Sequence, residues 1–94
     1  MSTATAVVVP DCIVELTADL LPVFNTLWDG DDTVLAELVA DDAQLEQAAK
    51  RLLVEIMDQE PGYPPRTAIK QFSKHQSVQI GALREAIIYY AHLG

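Results

Sequence analysis

Residues 41–57, "DDAQLEQAAKRLLVEIM", decide the fold class. Leu45, Ala48, Leu52 and Ile56 recur at steps of three and four, backed by Ala49, Leu53 and Met57. That is the stripe of an amphipathic helix and not the alternation of a strand. Asp41 stands ahead of it with Gln44 three residues later, the spacing of a capping box. Glu46 and Lys50 lie one turn apart in the favourable order, worth about 0.3 kcal/mol of exposed support.

Upstream, "PDCIVELTADLLPVFNTLWDGDD" (10–32) places Ile13, Leu16, Leu20, Phe24 and Leu27 on one helical line, with Asp11 as a suitable N-cap. Pro22 lacks the donor for the carbonyl four residues back, so a kink or a break into two short helices is expected there. "WDGDDT" (28–33) stops one helix and starts another, Gly30 taking a left-handed cap and Asp31 or Asp32 capping "TVLAELVA" (33–40). Downstream, "DQEPGYPP" (58–65) ends the 41–57 helix, and Pro64 and Pro65 are expected to hold the chain extended.

"RTAIKQFSKH" (66–75) then resumes with Ala68, Ile69 and Phe72 on one face. "SVQIGALREAIIYYAHLG" (77–94) aligns Ile80, Leu83, Ile87 and Tyr90, with Ser77 a possible cap and Gly81 costing up to about 1 kcal/mol against alanine. The rival to an all-helical reading is strand formation by "TAVVV" (5–9) or "AIIYY" (86–90), but two isolated short strands make a poor sheet. The expectation is an all-α fold, a small single-domain bundle or orthogonal array of four to five helices. It spans residues 10–94, with a flexible segment at 1–9 and a Pro-rich linker at 59–65 inside it.

At 94 residues, half of them apolar and 21% charged, the chain has material for one hydrophobic core but not for two. No apolar run approaches the roughly 18–20 residues of a membrane span, and "MSTATAVVVP" lacks the basic n-region of a secretory signal. A lone Cys12, within "PDCIVEL", reads as a buried, inert thiol in a reducing cytoplasm.

The net charge of -8 opposes general affinity for phosphate backbones or anionic membranes. Its distribution is uneven. Residues 1–61 hold 13 acids against Lys50 and Arg51, a net -11, whereas residues 62–94 hold Arg66, Lys70, Lys74 and Arg84 against Glu85, a net +3. Attraction between the two parts is the plain reading of that asymmetry.

Motifs for chemistry are lacking. An EF-hand loop begun at Asp29 meets Val34 and Ala40 where a glycine and a bidentate glutamate are needed, and one begun at Asp31 meets Ala36 and Asp42. Asp31, Asp32, Asp41 and Asp42 are better read as capping carboxylates. His75, His92 and Cys12 are far apart in sequence, Ser73 and His75 point to different helix faces, and the four glycines are isolated. No metal, cofactor, nucleotide or catalytic constellation is therefore expected, and the protein is read as a non-enzyme.

Two features point to partners. If residues 66–74 are helical, Arg66, Lys70 and Lys74 fall on one edge beside Ile69 and Phe72, and the region could pass as a helix-turn-helix with its turn near 75–77. Three or four cations in so acidic a chain bind DNA weakly, so nucleic acid is disfavoured; an acidic decoy for a nucleic-acid-binding protein is the converse alternative. "AIIYYAHL" (86–93) is apolar nearly all round, as in a central helix or one serving two interfaces, which implies a second copy or a protein partner. The expected function is a small acidic helical protein-interaction module, a regulator, adaptor or inhibitor. Its contact residues are expected to be Tyr63, Arg66, Lys70, Lys74, Tyr89 and Tyr90.

Overall fold

The computed structural model describes residues 9–93. Among them are five helices and no strand: α1 (Asp11–Trp28), α2 (Asp32–Ala40), α3 (Asp42–Met57), α4 (Pro64–Phe72) and α5 (Gln76–Leu93). The all-α expectation holds. "AIIYY" lies inside α5, whereas "TAVVV" and the expected flexible segment 1–9 lie, Val9 apart, outside the described residues.

α5 is the central helix. It packs on each of the other four, most extensively on α3 and α1; α4 packs on α1, and α2 on α3. Ala82, Leu83, Ala86, Ile87 and Tyr90 are buried along it, and each large apolar side chain so removed from water contributes about 1.5–3 kcal/mol. Enclosure from several sides accounts for the all-round apolar character of "AIIYYAHL", so that character no longer argues for a second interface.

The caps follow the short polar side chains. Asp31 Oδ1 accepts from the Val34 N–H at 3.2 Å, and Asp41 Oδ1 accepts from the N–H groups of Ala43 (3.0 Å) and Gln44 (3.2 Å). The reciprocal arm of the box differs from expectation. Gln44 Nε2 donates to Asp41 Oδ2 at 3.2 Å, because the Asp41 N–H is already given to the Leu38 carbonyl at 3.3 Å.

Several boundaries move from where the sequence placed them. Pro10, not Asp11, is the N-cap of α1, and Asp11 sits in the first turn, where its charge favours the helix start. α1 is not broken at Pro22: proline and Ala18, whose carbonyl loses its donor, are both exposed, so water can serve that carbonyl. Pro64 and Pro65 open α4 instead of extending the linker, since first-turn residues need no N–H donor. α5 starts one residue before Ser77, with the His75 carbonyl accepting from the Gln79 N–H at 2.9 Å. Cys12 is exposed and not buried, because it stands about 100° round the helix from the buried line that Ile13 begins.

Candidate functional site: the groove between α1 and α3

α1 and α3 flank α5 but barely touch one another. The consequence is visible at the end of the α1 stripe. Ile13, Leu16, Leu20 and Phe24 are buried as their spacing predicts, but Leu27, the next on the line, is 45% exposed. Beside it Trp28 is half-buried, its ring 5.6 Å from Phe24 and 6.3 Å from Tyr90 by centroids. Opposite, α3 presents Gln44, Ala48, Arg51 and Glu55 at steps of three and four, one helical face.

Between these faces runs an open groove of about 670 Å³, with Leu27, Trp28, Leu38, Ala48 and Leu52 as its apolar lining. Leu27 and Glu55 also belong to an adjoining hollow of about 180 Å³ that reaches Val23, Ile56, Gln59 and Tyr63. The two form one trough along α3, with amide side chains of Gln44, Gln47 and Gln59 at its edges. Enclosure of a small molecule needs walls on most sides. An open trough along a helix has the form that receives a second helix.

The predicted contact residues are dispersed. Tyr63 is brought into the trough at its end; it is half-buried and is the N-cap residue of α4, its carbonyl accepting from the Thr67 N–H at 3.0 Å. Arg66 turns its guanidinium onto the Gln59 carbonyl, tying the linker to α4. Lys70 is exposed on α4, but the helix ends at Phe72 with Ser73 as an extended C-cap, so Lys74 lies beyond it. The expected edge of three cations on one helix is therefore not formed. Lys70 and Lys74 instead border a separate trough of about 520 Å³ floored by Leu53, Val54 and Met57. Tyr89 is half-buried, and Tyr90 is buried in the core.

α4, the turn at residues 73–75 and α5 have the connectivity of a helix-turn-helix; α5 packs on all four other helices, while its first residues, Gln76, Ser77 and Val78, are exposed. Ser73 and His75 meet only through the His75 backbone N–H, which donates to Ser73 Oγ at 3.0 Å; the imidazole takes no part. Among the described residues no group of three or more His, Cys, Asp or Glu is placed to hold a metal ion, and no helix is long and apolar enough to cross a membrane.

The charge asymmetry of the sequence takes a definite form. Arg84 of α5 donates to Glu46 Oε1 at 3.0 Å and to Asp42 Oδ1, clamping the later, basic part of the chain to the acidic α3. Among the described residues Lys70 and Lys74 form no ion pair. Leu27, Trp28 and Ala48 were missed as site residues because each reads as core: Leu27 and Ala48 continue stripes, and Trp28 adjoins one. Comparison of the chain with models of protein families, with curated proteins and with solved structures found no match.

Proposed function

We propose that this protein is a non-catalytic interaction module that receives an amphipathic helix of a partner protein in the trough between α1 and α3. The observation that carries the reading is Leu27. It continues the buried line of α1, yet nearly half of it faces solvent across from a mixed face of α3 on which Ala48 and the edge of Leu52 lie among Gln44, Arg51 and Glu55. A partner helix laid there would complete the packing that α1 and α3 do not give each other, with apolar anchors entering beside Leu27 and Ala48. Regulator, adaptor and inhibitor are roles such docking serves; the docking is common to all three.

Trp28, the single tryptophan, lines the trough and so reports on it. An uncharged amphipathic helix with leucines at i, i+4, i+7 and i+11 is expected to shift Trp28 emission to shorter wavelength on titration. It should also move the amide resonances of Leu27, Ala48 and Glu55. Leu27→Asp and Ala48→Arg each place a charge in the trough at an exposed or half-buried position, and are expected to weaken binding at least about tenfold with the fold retained. Equal binding by both variants would refute the reading.

A further inference from the structure

We infer that the helix this trough receives is cationic, carrying Lys or Arg beside its apolar face. The inference rests on the docking reading above and adds the charge of the partner. The trough is built from residues 23–63, which carry 10 acidic side chains against Lys50 and Arg51. Arg84 from α5 pairs with Asp42 and Glu46, and Arg66 reaches the Gln59 carbonyl, so four cations stand against those 10 acids. The surroundings remain net acidic, while the lining itself carries one cation, Arg51, and one carboxylate, Glu55.

One carboxylate, Glu55, lines the trough where the two hollows join, and others flank it: Glu60 lies with Tyr63 at one end, and at the other Asp29 follows Trp28 in the chain while Asp41 precedes the Ala43 turn of α3. Apart from Arg51, Glu55 and the Trp28 ring, the lining of the larger groove is aliphatic and amide, and an amide serves donors and acceptors of either charge alike. Adhesion therefore comes from the apolar floor and selection from the surrounding field, which attracts a basic segment and repels an acidic one within a screening length of about 8–10 Å.

The same field decides against a second copy as occupant, since that copy brings a net charge of -8 of its own. Lys70 and Lys74, unpaired among the described residues and so the cations such a copy would have to offer, border the Val54 trough; Lys70 is on α4, whose apolar face is already packed on α1, and Lys74 lies beyond that helix. Length sets the rest of the specification. From Ala43 to Ile56 the lining of α3 extends about 20 Å at 1.5 Å per residue, which suits a partner helix of about four turns.

The test uses the full chain and three 16-residue model helices with one leucine face, whose outer positions are all Lys, all Gln or all Glu. Each is titrated at low and at raised salt, following Trp28 emission and the amide resonances of Leu27, Ala48 and Glu55. The Lys helix is expected to bind at least about tenfold more tightly than the Gln helix, with the Glu helix weakest, and its advantage should shrink several-fold as salt rises. Glu55→Gln with Glu60→Gln, both exposed positions, should lower the affinity of the Lys helix about threefold and leave the Gln helix unchanged.

If the Gln and Lys helices bind equally and both move the trough resonances, the charge inference is overturned while the docking reading stands. Lys-helix binding that leaves Leu27, Ala48 and Glu55 unmoved is charge attraction elsewhere and overturns it too. If none of the three helices moves those resonances, the docking reading fails and takes this inference with it.

Discussion

Tyr90 and Asn25, 65 residues apart in the chain, share a hydrogen bond of 2.8 Å from the phenol to Asn25 Oδ1. The same hydroxyl accepts from the Gly30 N–H at 3.1 Å, so one buried ring on α5 holds both the last turn of α1 and the corner leading to α2. That ring packs 5.1 Å from Phe24, centroid to centroid, and next to Trp28. The tyrosine that the sequence offered as a contact residue is thus a fastening for the Trp28 wall of the trough.

Tyr90→Phe keeps the ring and removes both bonds. Asn25 and Gly30 are exposed and regain water, so the loss is expected to be about 1–2 kcal/mol, lowering Tm by roughly 5–10 °C. Tyr89→Phe, whose hydroxyl has no partner among the described residues, should stay within about 0.5 kcal/mol. Urea unfolding of the two variants beside the parent decides it; equal losses would show that the fastening is without energetic weight.

The Arg84 clamp should be real but small. Arg84 is 31% exposed at its side chain and Glu46 35%, so solvent screens their pairing, and a double-mutant cycle with Arg84→Met and Glu46→Gln is expected to give a coupling of about 0.5–1 kcal/mol. The Asp42 arm, 85% exposed, should add less. Repeating the cycle in 1 M salt should shrink the coupling. A coupling unchanged by salt would mean that packing of the guanidinium, not charge, holds α5 to α3.

Periodicity reveals which face of a helix is apolar, and that much of the fold was legible. The stripes of α3 and α1 and the caps at Asp31 and Asp41 all stand where spacing put them. What it does not reveal is how far along a helix its neighbours reach. Leu27 lies on the apolar line of α1 and is exposed because α1 and α3 barely touch, whereas Cys12 is exposed because it falls beside that line while its neighbour Ile13 is buried. The trough lies where that line is left uncovered, so its apolar residues carry the sequence signature of core. Lys74 fell off the expected cationic edge for a related reason: nothing in "IKQFSKH" is a strong helix breaker, and α4 ends where Ser73 turns extended.

The exposure of Cys12 makes a direct chemical prediction. Native protein should react with a thiol reagent such as 5,5′-dithiobis(2-nitrobenzoate) to one equivalent, at a rate within about tenfold of the urea-unfolded chain, because no opening of the fold is required. A buried thiol would react only through opening, slower by the folding equilibrium. Protection by several orders of magnitude would place Cys12 in the core beside Ile13.

Gly81 and Gly30 separate backbone conformation from space. A Cβ added at either meets no atom within 4 Å, so crowding is equal and absent at both. They differ in φ: Gly30 sits at +71°, following Asp29 at +47°, whereas Gly81 is inside α5 and not in the left-handed region. Gly81→Ala therefore restricts the unfolded chain at no native cost and should raise stability by about 0.5–1 kcal/mol. Gly30→Ala forces an L side chain into a left-handed turn and should lower it by about 1–2 kcal/mol, with Gly30→Asn losing less because asparagine tolerates that conformation. Thermal unfolding of the three variants checks the signs. If alanine moved both sites in the same direction, the left-handed corner that carries Trp28 toward α2 would not be the conformation in solution.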